Sequence, residues 1–479
     1  MTMLQPALSP TPEQAKAILE RARRDPAWWV REVLGVRLWS RQVEILEAVR
    51  DHDEAAVASC HGAGKSFVAA DVVLWFLCAH RPAIVITTAP TDRQVKGILW
   101  KEIRLAHQRA TYPLGGRPLT QELRFADDWW AWGFTAPDYD PNRFQGYHEA
   151  HVLVVVDEAA GVSEEIYEAI DGILSGEHCR LLMIGNATDP TGRFGRSWRT
   201  PGVKTIRISA YDTPNFTTYG ITEADIAAGT WEQKITGPLP YPKLVTPAWV
   251  AKRYRRWGPT SPMYLARVLG QFPEAGANTL IPLSWVEAAQ RRQLEPGNPN
   301  VLGVDVARYG DAETVICHRR GPVFRIYLVA TRENTVQTSG RVAVALRETG
   351  AAQAQVDEVG VGAGVVDNLE AARKPVMGLN AGAAPRDRER FANARAEWYW
   401  GLRERFETGD IDLDPADEEL AAQLSSLRYR YTARGQIEIE SKDEMKKRGL
   451  ASPDRADAVM LASAEQPVRK GAVPKHPAW

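Results

Sequence analysis

Ala55-Ala56-Val57-Ala58-Ser59-Cys60-His61-Gly62-Ala63-Gly64-Lys65-Ser66 is the stretch on which the fold turns, and it runs directly into the apolar Phe67-Val68-Ala69-Ala70. A short apolar run, two closely spaced glycines and a long apolar run read as strand, tight turn and helix. In that context a Gly-Lys-Ser ending binds phosphate. Gly62 and Gly64 let backbone N–H groups close on the phosphate oxygens, while Lys65 meets the β- and γ-phosphates and Ser66 ligates Mg²⁺ at the helix N-terminus. Ser59, His61 and Ala63 complete the cradle. Ser59 takes the place of the first glycine of the strict pattern, and the plainer alternative is a glycine-rich turn with no ligand.

Further along, Val152-Leu153-Val154-Val155-Val156-Asp157-Glu158 is an apolar strand ending in two carboxylates. Asp157 suits a carboxylate that holds Mg²⁺ through water, and Glu158 suits the base that polarises the attacking water of ATP hydrolysis. Thr87-Thr88-Ala89-Pro90-Thr91 ends an earlier strand within reach of phosphate or DNA. Gly185-Asn186-Ala187-Thr188 ends a later one, where Thr188 would sense the γ-phosphate, and Gln42 precedes the loop, where it would read the adenine edge. Each of these also reads simply as polar residues at strand ends. Strands at 55–59, 83–88, 151–156 and 180–184, alternating with helices, predict a parallel, doubly wound α/β sheet.

Helical signals cover 13–50, a stretch rich in Pro, Gly and Thr covers 211–247, and helical signals return at 246–269. Breakers dominate 276–299, so a linker is expected at 271–297, and the Pro- and Lys-bearing 466–479 reads as a flexible tail.

Past the linker the chemistry changes. Val301-Leu302-Gly303-Val304-Asp305-Val306 is an apolar strand carrying one acid, and Gln355-Val356-Asp357-Glu358 repeats the pattern. A lone carboxylate on a buried strand is costly unless it is paired or binds metal. Asp454 and Asp457 stand three apart at the start of an apolar helix and share a face. Acids converging from two strands and a helix suit two-metal phosphodiester cleavage, with oxygen ligands for Mg²⁺ or Mn²⁺. No His or Cys cluster here suggests zinc. Any one of these acids, taken alone, reads as a solvated surface residue.

The chain has 479 residues, too many for one ordinary core, with 44% hydrophobic and 25% charged residues as in soluble globular protein. No apolar run reaches bilayer length, no secretory signal opens the chain, and the four cysteines lack metal-ligand spacing, so a reduced cytosolic protein is expected. A net charge of -1 argues mildly against static coating of DNA but not against a motor that must release it.

The order of Gln42, the deviant phosphate loop, Thr-Ala-Pro-Thr, Asp157-Glu158 and Gly185–Thr188 resembles the large terminase subunits of tailed bacteriophages, over about residues 30–465. The resemblance implies an α/β chain of two catalytic parts. These are an N-terminal P-loop (RecA/helicase-like) ATPase at 30–270, with a lid at 211–270, and a C-terminal RNase H-like α/β nuclease at 298–465; the helical extension expected at 1–29 lies outside the resemblance. It implies that Arg143 is an arginine finger, although a surface loop arginine is the plainer reading. It makes Asp305, Asp357 and Asp457 the metal triad, with Asp454 or Asp311 assisting, and places Lys442 near the scissile phosphate if it is not simply solvated. ATP and Mg²⁺ (or Mn²⁺ at the nuclease) are the implied cofactors. The implied partners are double-stranded DNA, the portal of the procapsid, the small terminase subunit and further copies in a ring, with no membrane. The work would be done in the cytoplasm of the bacterial host, transiently docked on the procapsid. The rivals are a helicase–nuclease of repair or recombination and a non-enzymatic portal adaptor.

Overall fold

The computed structural model of the chain describes residues 12–135, 149–273, 278–307 and 313–464. They fall into two compact units, Met1–Glu274 and Ala275–Trp479. Among the described residues no helix is long and apolar enough to cross a membrane.

The first unit is built on one sheet of β1 (Glu54–Ser59), β2 (Ala83–Ala89), β3 (Arg117–Pro118), β4 (Glu122–Ala126), β5 (Trp129–Thr135), β6 (Val152–Asp157), β7 (Cys179–Gly185) and β8 (Lys204–Ile208). The order is β3-β4-β5-β2-β6-β7-β1-β8. Neighbours from β5 to β8 pair parallel, and β3 and β4 add an antiparallel edge. Parallel strands are covered on both faces and therefore read as unbroken apolar runs. β2 and β6 are buried at every residue. The helix Lys65–Ala79 is buried from Val68 to Ala79 because helices Pro12–Arg24 and Trp100–Arg109 pack on it. Trp75 Nε1 donates to the Ala22 carbonyl at 2.8 Å, tying the N-terminal helix into this unit. β1, β7 and β6 point the same way, so their carboxyl ends open on one edge, where open α/β sheets bind ligands. After β8 come short helices, Pro214–Thr217, Glu223–Ala228, Pro247–Trp257 and Pro262–Arg267.

The second unit carries β9 (Asn300–Asp305), β10 (Thr314–Arg320), β11 (Val323–Ala330), β12 (Gln353–Asp357) and β13 (Val376–Leu379), ordered β11-β10-β9-β12-β13. The first three form an antiparallel meander, while β12 runs parallel to β9 and to β13. This is the RNase H-like arrangement expected. Leu302 and Val304 pack with Ile316, Val342 and Val365 on one face, under helices Thr335–Thr349 and Gly362–Ala371. Alternation sends Gly303 and Asp305 to the other face, which helix Asp454–Ser463 crosses. A Cβ on Gly303 would overlap the Ala458 carbonyl and the Ala462 amide, so only glycine admits that helix so close. β14 (Tyr429–Tyr431) and β15 (Ile437–Ile439) form a separate hairpin.

Inside the expected linker lies a helix, Leu283–Arg291, that buries Leu283, Val286 and Ala289 and packs on helix Glu418–Ser426. Its apolar spacing is helical, but Gly and Pro on both sides outweigh it in a count of breakers.

Candidate functional site

At the carboxyl end of β1 the chain turns through Gly62 and Gly64, both at positive φ (69° and 81°), into the helix that begins at Lys65. Glycine accepts this backbone without cost. Ser66 Oγ donates to Asp157 Oδ2 at 2.9 Å, joining the loop to the end of β6. Lys65 Nζ lies 3.9 Å from Glu158 Oε1. Glu158 has a φ of 50°, a strained left-handed backbone for a non-glycine residue, and its amide donates to Asp157 Oδ1 at 3.0 Å. Burial, and then the Glu158 carboxylate beside it, push Asp157 up to about 6, against the pull of Lys65 and Ser66. A buried carboxylate so raised beside a hydroxyl is a donor set that fits Mg²⁺. Asn186 Nδ2 donates to the Ser59 carbonyl at 2.7 Å, so the end of β7 also braces the loop, with Thr188 buried two residues on. Gln42 is buried against Gly64, whose Cβ, if present, would lie 2.9 Å from Gln42 Nε2.

Residues that the sequence reading passed over cover the loop. Val245 N–H donates to the Gly62 carbonyl at 2.9 Å, and His61 stacks on Trp249 with ring centroids 5.7 Å apart. Asn215, fully buried, donates through Nδ2 to the carbonyls of Tyr241 and Val245 at 2.8 and 3.0 Å and shapes that covering segment. No local spacing announces these contacts. Thr87 Oγ1 accepts from Trp100 Nε1 at 2.8 Å, whereas Thr88 Oγ1 is buried without a hydrogen-bond partner among the described residues. Arg143 lies outside the described residues, as does Asp311.

In the second unit Asp305 ends β9, Asp357 ends β12, and Asp454 and Asp457 occupy the first turn of helix Asp454–Ser463. The Lys442 ammonium stands among three of them, 2.9 Å from Asp457 Oδ2, 3.4 Å from Asp454 Oδ1 and 3.6 Å from Asp305 Oδ2. Lys442 is thus no solvated bystander. Asp357 accepts from the Val359 amide at 3.1 Å and lines the same 910 Å³ groove as Asp305, Asp457 and Lys442. Asp454 is more occupied, accepting from the Glu313 amide at 2.7 Å and from Ser452 Oγ. Burial raises Asp305 well above the usual carboxylate range, Lys442 opposing and Asp457, Asp454 and Asp357 adding to the rise. Burial acts against the charged form of Asp457 too, but Lys442 and Arg395 outweigh it and hold its carboxyl low. Among the described residues no three His, Cys, Asp or Glu are disposed to hold a metal as they stand. The carboxylates are instead gathered on the Lys442 cation, and an all-oxygen set that already draws in one positive charge fits a hard divalent ion.

No family model matches the sequence. Among solved structures, the nuclease domain of the large terminase subunit gp2 of bacterial virus Sf6 is 22% identical at a TM-score of 0.36, covering 40% of this chain and 100% of its own. The large terminase from a thermophilic bacteriophage is 11% identical at a TM-score of 0.40, covering 89% of this chain and 98% of its own. Among curated proteins, "Probable terminase, large subunit" of Enterobacteria phage P7 is 27% identical over 278 residues, 56% of this chain, and the chain spans about half (52%) of that relative's length. The resemblance to phage large terminase subunits read from the motifs is borne out by this curated relative.

Proposed function

We propose that this chain is the ATP-driven DNA-packaging motor of a tailed phage, joined to a metal-dependent endonuclease. The observation that carries the proposal is the pairing across the sheet edge, Ser66 with Asp157 and Lys65 with Glu158, in one chain with buried carboxylates gathered around a cation. Lys65 and the loop amides bind the phosphates of ATP, and Gln42 lies against the loop where it can read the base. Glu158, aimed by its strained backbone, orients the attacking water and accepts its proton. Ser66 and Asp157 are the residues that would hold Mg²⁺, which would supply charge neutralisation at the phosphates.

In the second unit Asp305, Asp357 and Asp457 are the residues that would hold divalent ions, Mg²⁺ or Mn²⁺, and such ions would supply an activated water and charge neutralisation at the leaving oxygen. Asp454 steadies the site through the Glu313 amide, and Lys442 neutralises the carboxylates before the ions enter. Hydrolysis drives double-stranded DNA through the portal into a procapsid, and the nuclease cuts the concatemer at the start and end of filling. The small terminase subunit and further copies of this chain, in a ring on the portal, are its partners, in the cytoplasm of the bacterial host. DNA-stimulated ATP turnover, assayed beside plasmid digestion in Mn²⁺, tests the proposal. Both are expected, and both should stop in excess chelator. A folded chain that neither turns over ATP nor cuts DNA would overturn it.

A further inference from the structure

We infer that Tyr399 and Arg395 are positioning residues of the carboxylate site, which hold Asp457 by its Oδ1 so that Oδ2 alone is presented to a divalent ion. The inference rests on the nuclease reading and extends it to residues outside the carboxylate set. Asn393 caps helix Ala394–Thr408, its Oδ1 accepting from the Ala396 amide at 2.9 Å. Arg395 and Tyr399 follow one turn apart on one face, and that helix packs on helix Asp454–Ser463. Tyr399 is fully buried, and its hydroxyl donates to Asp457 Oδ1 at 2.6 Å. Arg395 Nη2 reaches the same oxygen at 3.5 Å, with the guanidinium over the Tyr399 ring, 4.9 Å from its centroid.

The other end of that guanidinium fixes a second element. Arg395 Nη1 donates to the Glu440 carbonyl at 2.8 Å, one residue before Ser441, which caps the short helix bearing Lys442. One side chain therefore ties the Asp457 carboxylate to the backbone that delivers the lysine. Two donors converge on Oδ1, whereas the ion-pair partner of Oδ2 is the half-exposed Lys442 ammonium at 2.9 Å. A carboxylate pinned by one oxygen cannot swing, so the other keeps one direction. Hydrogen bonds of this kind to a ligating carboxylate typically change metal affinity about 10–100-fold when removed. A buried tyrosine hydroxyl needs some acceptor in any core, so a purely structural role must be separable from this one.

Tyr399→Phe removes the hydroxyl and keeps the ring. In the full chain without nucleotide, Mn²⁺ binding is measured by paramagnetic resonance, with Asp457→Ala as the blank. Tyr399→Phe should bind Mn²⁺ about tenfold more weakly, and half-maximal plasmid cutting should need correspondingly more Mn²⁺. Arg395→Lys, which keeps the charge but cannot span Asp457 and the Glu440 carbonyl, should weaken binding in the same direction. It carries the test alone if Tyr399→Phe fails to fold. Unchanged Mn²⁺ affinity in the folded variants overturns the positioning role. Undiminished Mn²⁺ binding by Asp457→Ala overturns the nuclease reading beneath it.

Discussion

Asp157 and Glu158 are chain neighbours with different tasks, because the backbone turns left-handed between them. Asp157 stays on the buried strand and meets Ser66, while Glu158 is thrown outward to within 3.9 Å of Lys65. Lys65 is the cation of the phosphate loop, and removing one such electrostatic contact typically slows turnover about 10²–10³-fold. Lys65→Ala should therefore abolish most ATP turnover while metal-dependent plasmid cutting persists. Loss of both activities in a folded variant would show that the two sites are not independent. The converse variant is Asp305→Ala, which deletes a carboxylate raised by burial and by three neighbouring acids. It should stop cutting and leave ATP turnover standing, and continued cutting by the variant would remove Asp305 from the nuclease. Asp305 and Asp357 stand out in the sequence because each sits on an apolar strand, and Asp454 and Asp457 because they stand three apart at the start of an apolar helix. Lys442 is singled out only through the family resemblance, because its immediate neighbours Ser441 and Asp443 are polar and charged and only the fold brings it between Asp305 and Asp457.

At the scale of elements, the amino ends of the same strands carry a feature opposite in character to the phosphate edge. His80 closes the helix after the phosphate loop, His151 leads into β6, and His178 leads into β7. Their rings stack in a row, with centroids 4.6 and 5.3 Å apart, and among the described residues Nδ1 of both His80 and His151 is buried without a hydrogen-bond partner. Burial, with His151 beside it, pushes His80 down to about 3, and burial lowers His151 as well. A histidine held neutral in the fold binds fewer protons than in the unfolded chain, where its pKa is about 6.5. Its stabilisation is complete above about pH 6.5 and is lost progressively as the pH falls toward 3. At pH 5.5 the loss from His80 is about 1 kcal/mol. Thermal unfolding at pH 7.5 and 5.5 should show His80→Gln losing less on acidification than the parent chain, and equal losses would place the acid sensitivity elsewhere. The strands just above this stack were readable because burial on both faces makes β1, β2, β6 and β7 continuous apolar runs. β5 was not, since Gly133 interrupts a run of aromatics. It is glycine because a Cβ there would overlap the Trp100 ring, a long-range packing demand with no local signature. The same holds for Val245 and Trp249, which reach the phosphate loop across most of the first unit's sequence.

For the whole molecule, a net charge of -1 argues mildly against static coating of DNA and is compatible with the proposed motor. Such a motor would act as a ring, and a ring allows one copy to complete another's site. Arg143 is our proposed finger, although it lies outside the described residues, and the arginines nearest the end of β7 are already engaged. Arg193 pairs with Glu54 at 3.2 Å and Asp171 at 3.4 Å, and Arg196 pairs with Glu164 at 2.6 Å. Either would have to break its ion pairs to reach a neighbour's phosphate. An arginine finger acts on charge that develops during transfer, so its loss should spare ATP binding and slow turnover, by as much as about 10³–10⁵-fold. Arg143→Ala should then bind ATP like the parent, and turnover per chain in the parent should rise on assembly. Mixing Arg143→Ala with Lys65→Ala should restore part of the activity that each lacks alone. The first keeps an intact phosphate loop and the second keeps an intact finger, so a mixed interface contains one complete site. Recovery that scales with the product of the two concentrations would assign the finger to the neighbouring copy. Near-normal turnover by Arg143→Ala alone would instead show that the finger is elsewhere, with Arg193 and Arg196 the next candidates once freed from their ion pairs.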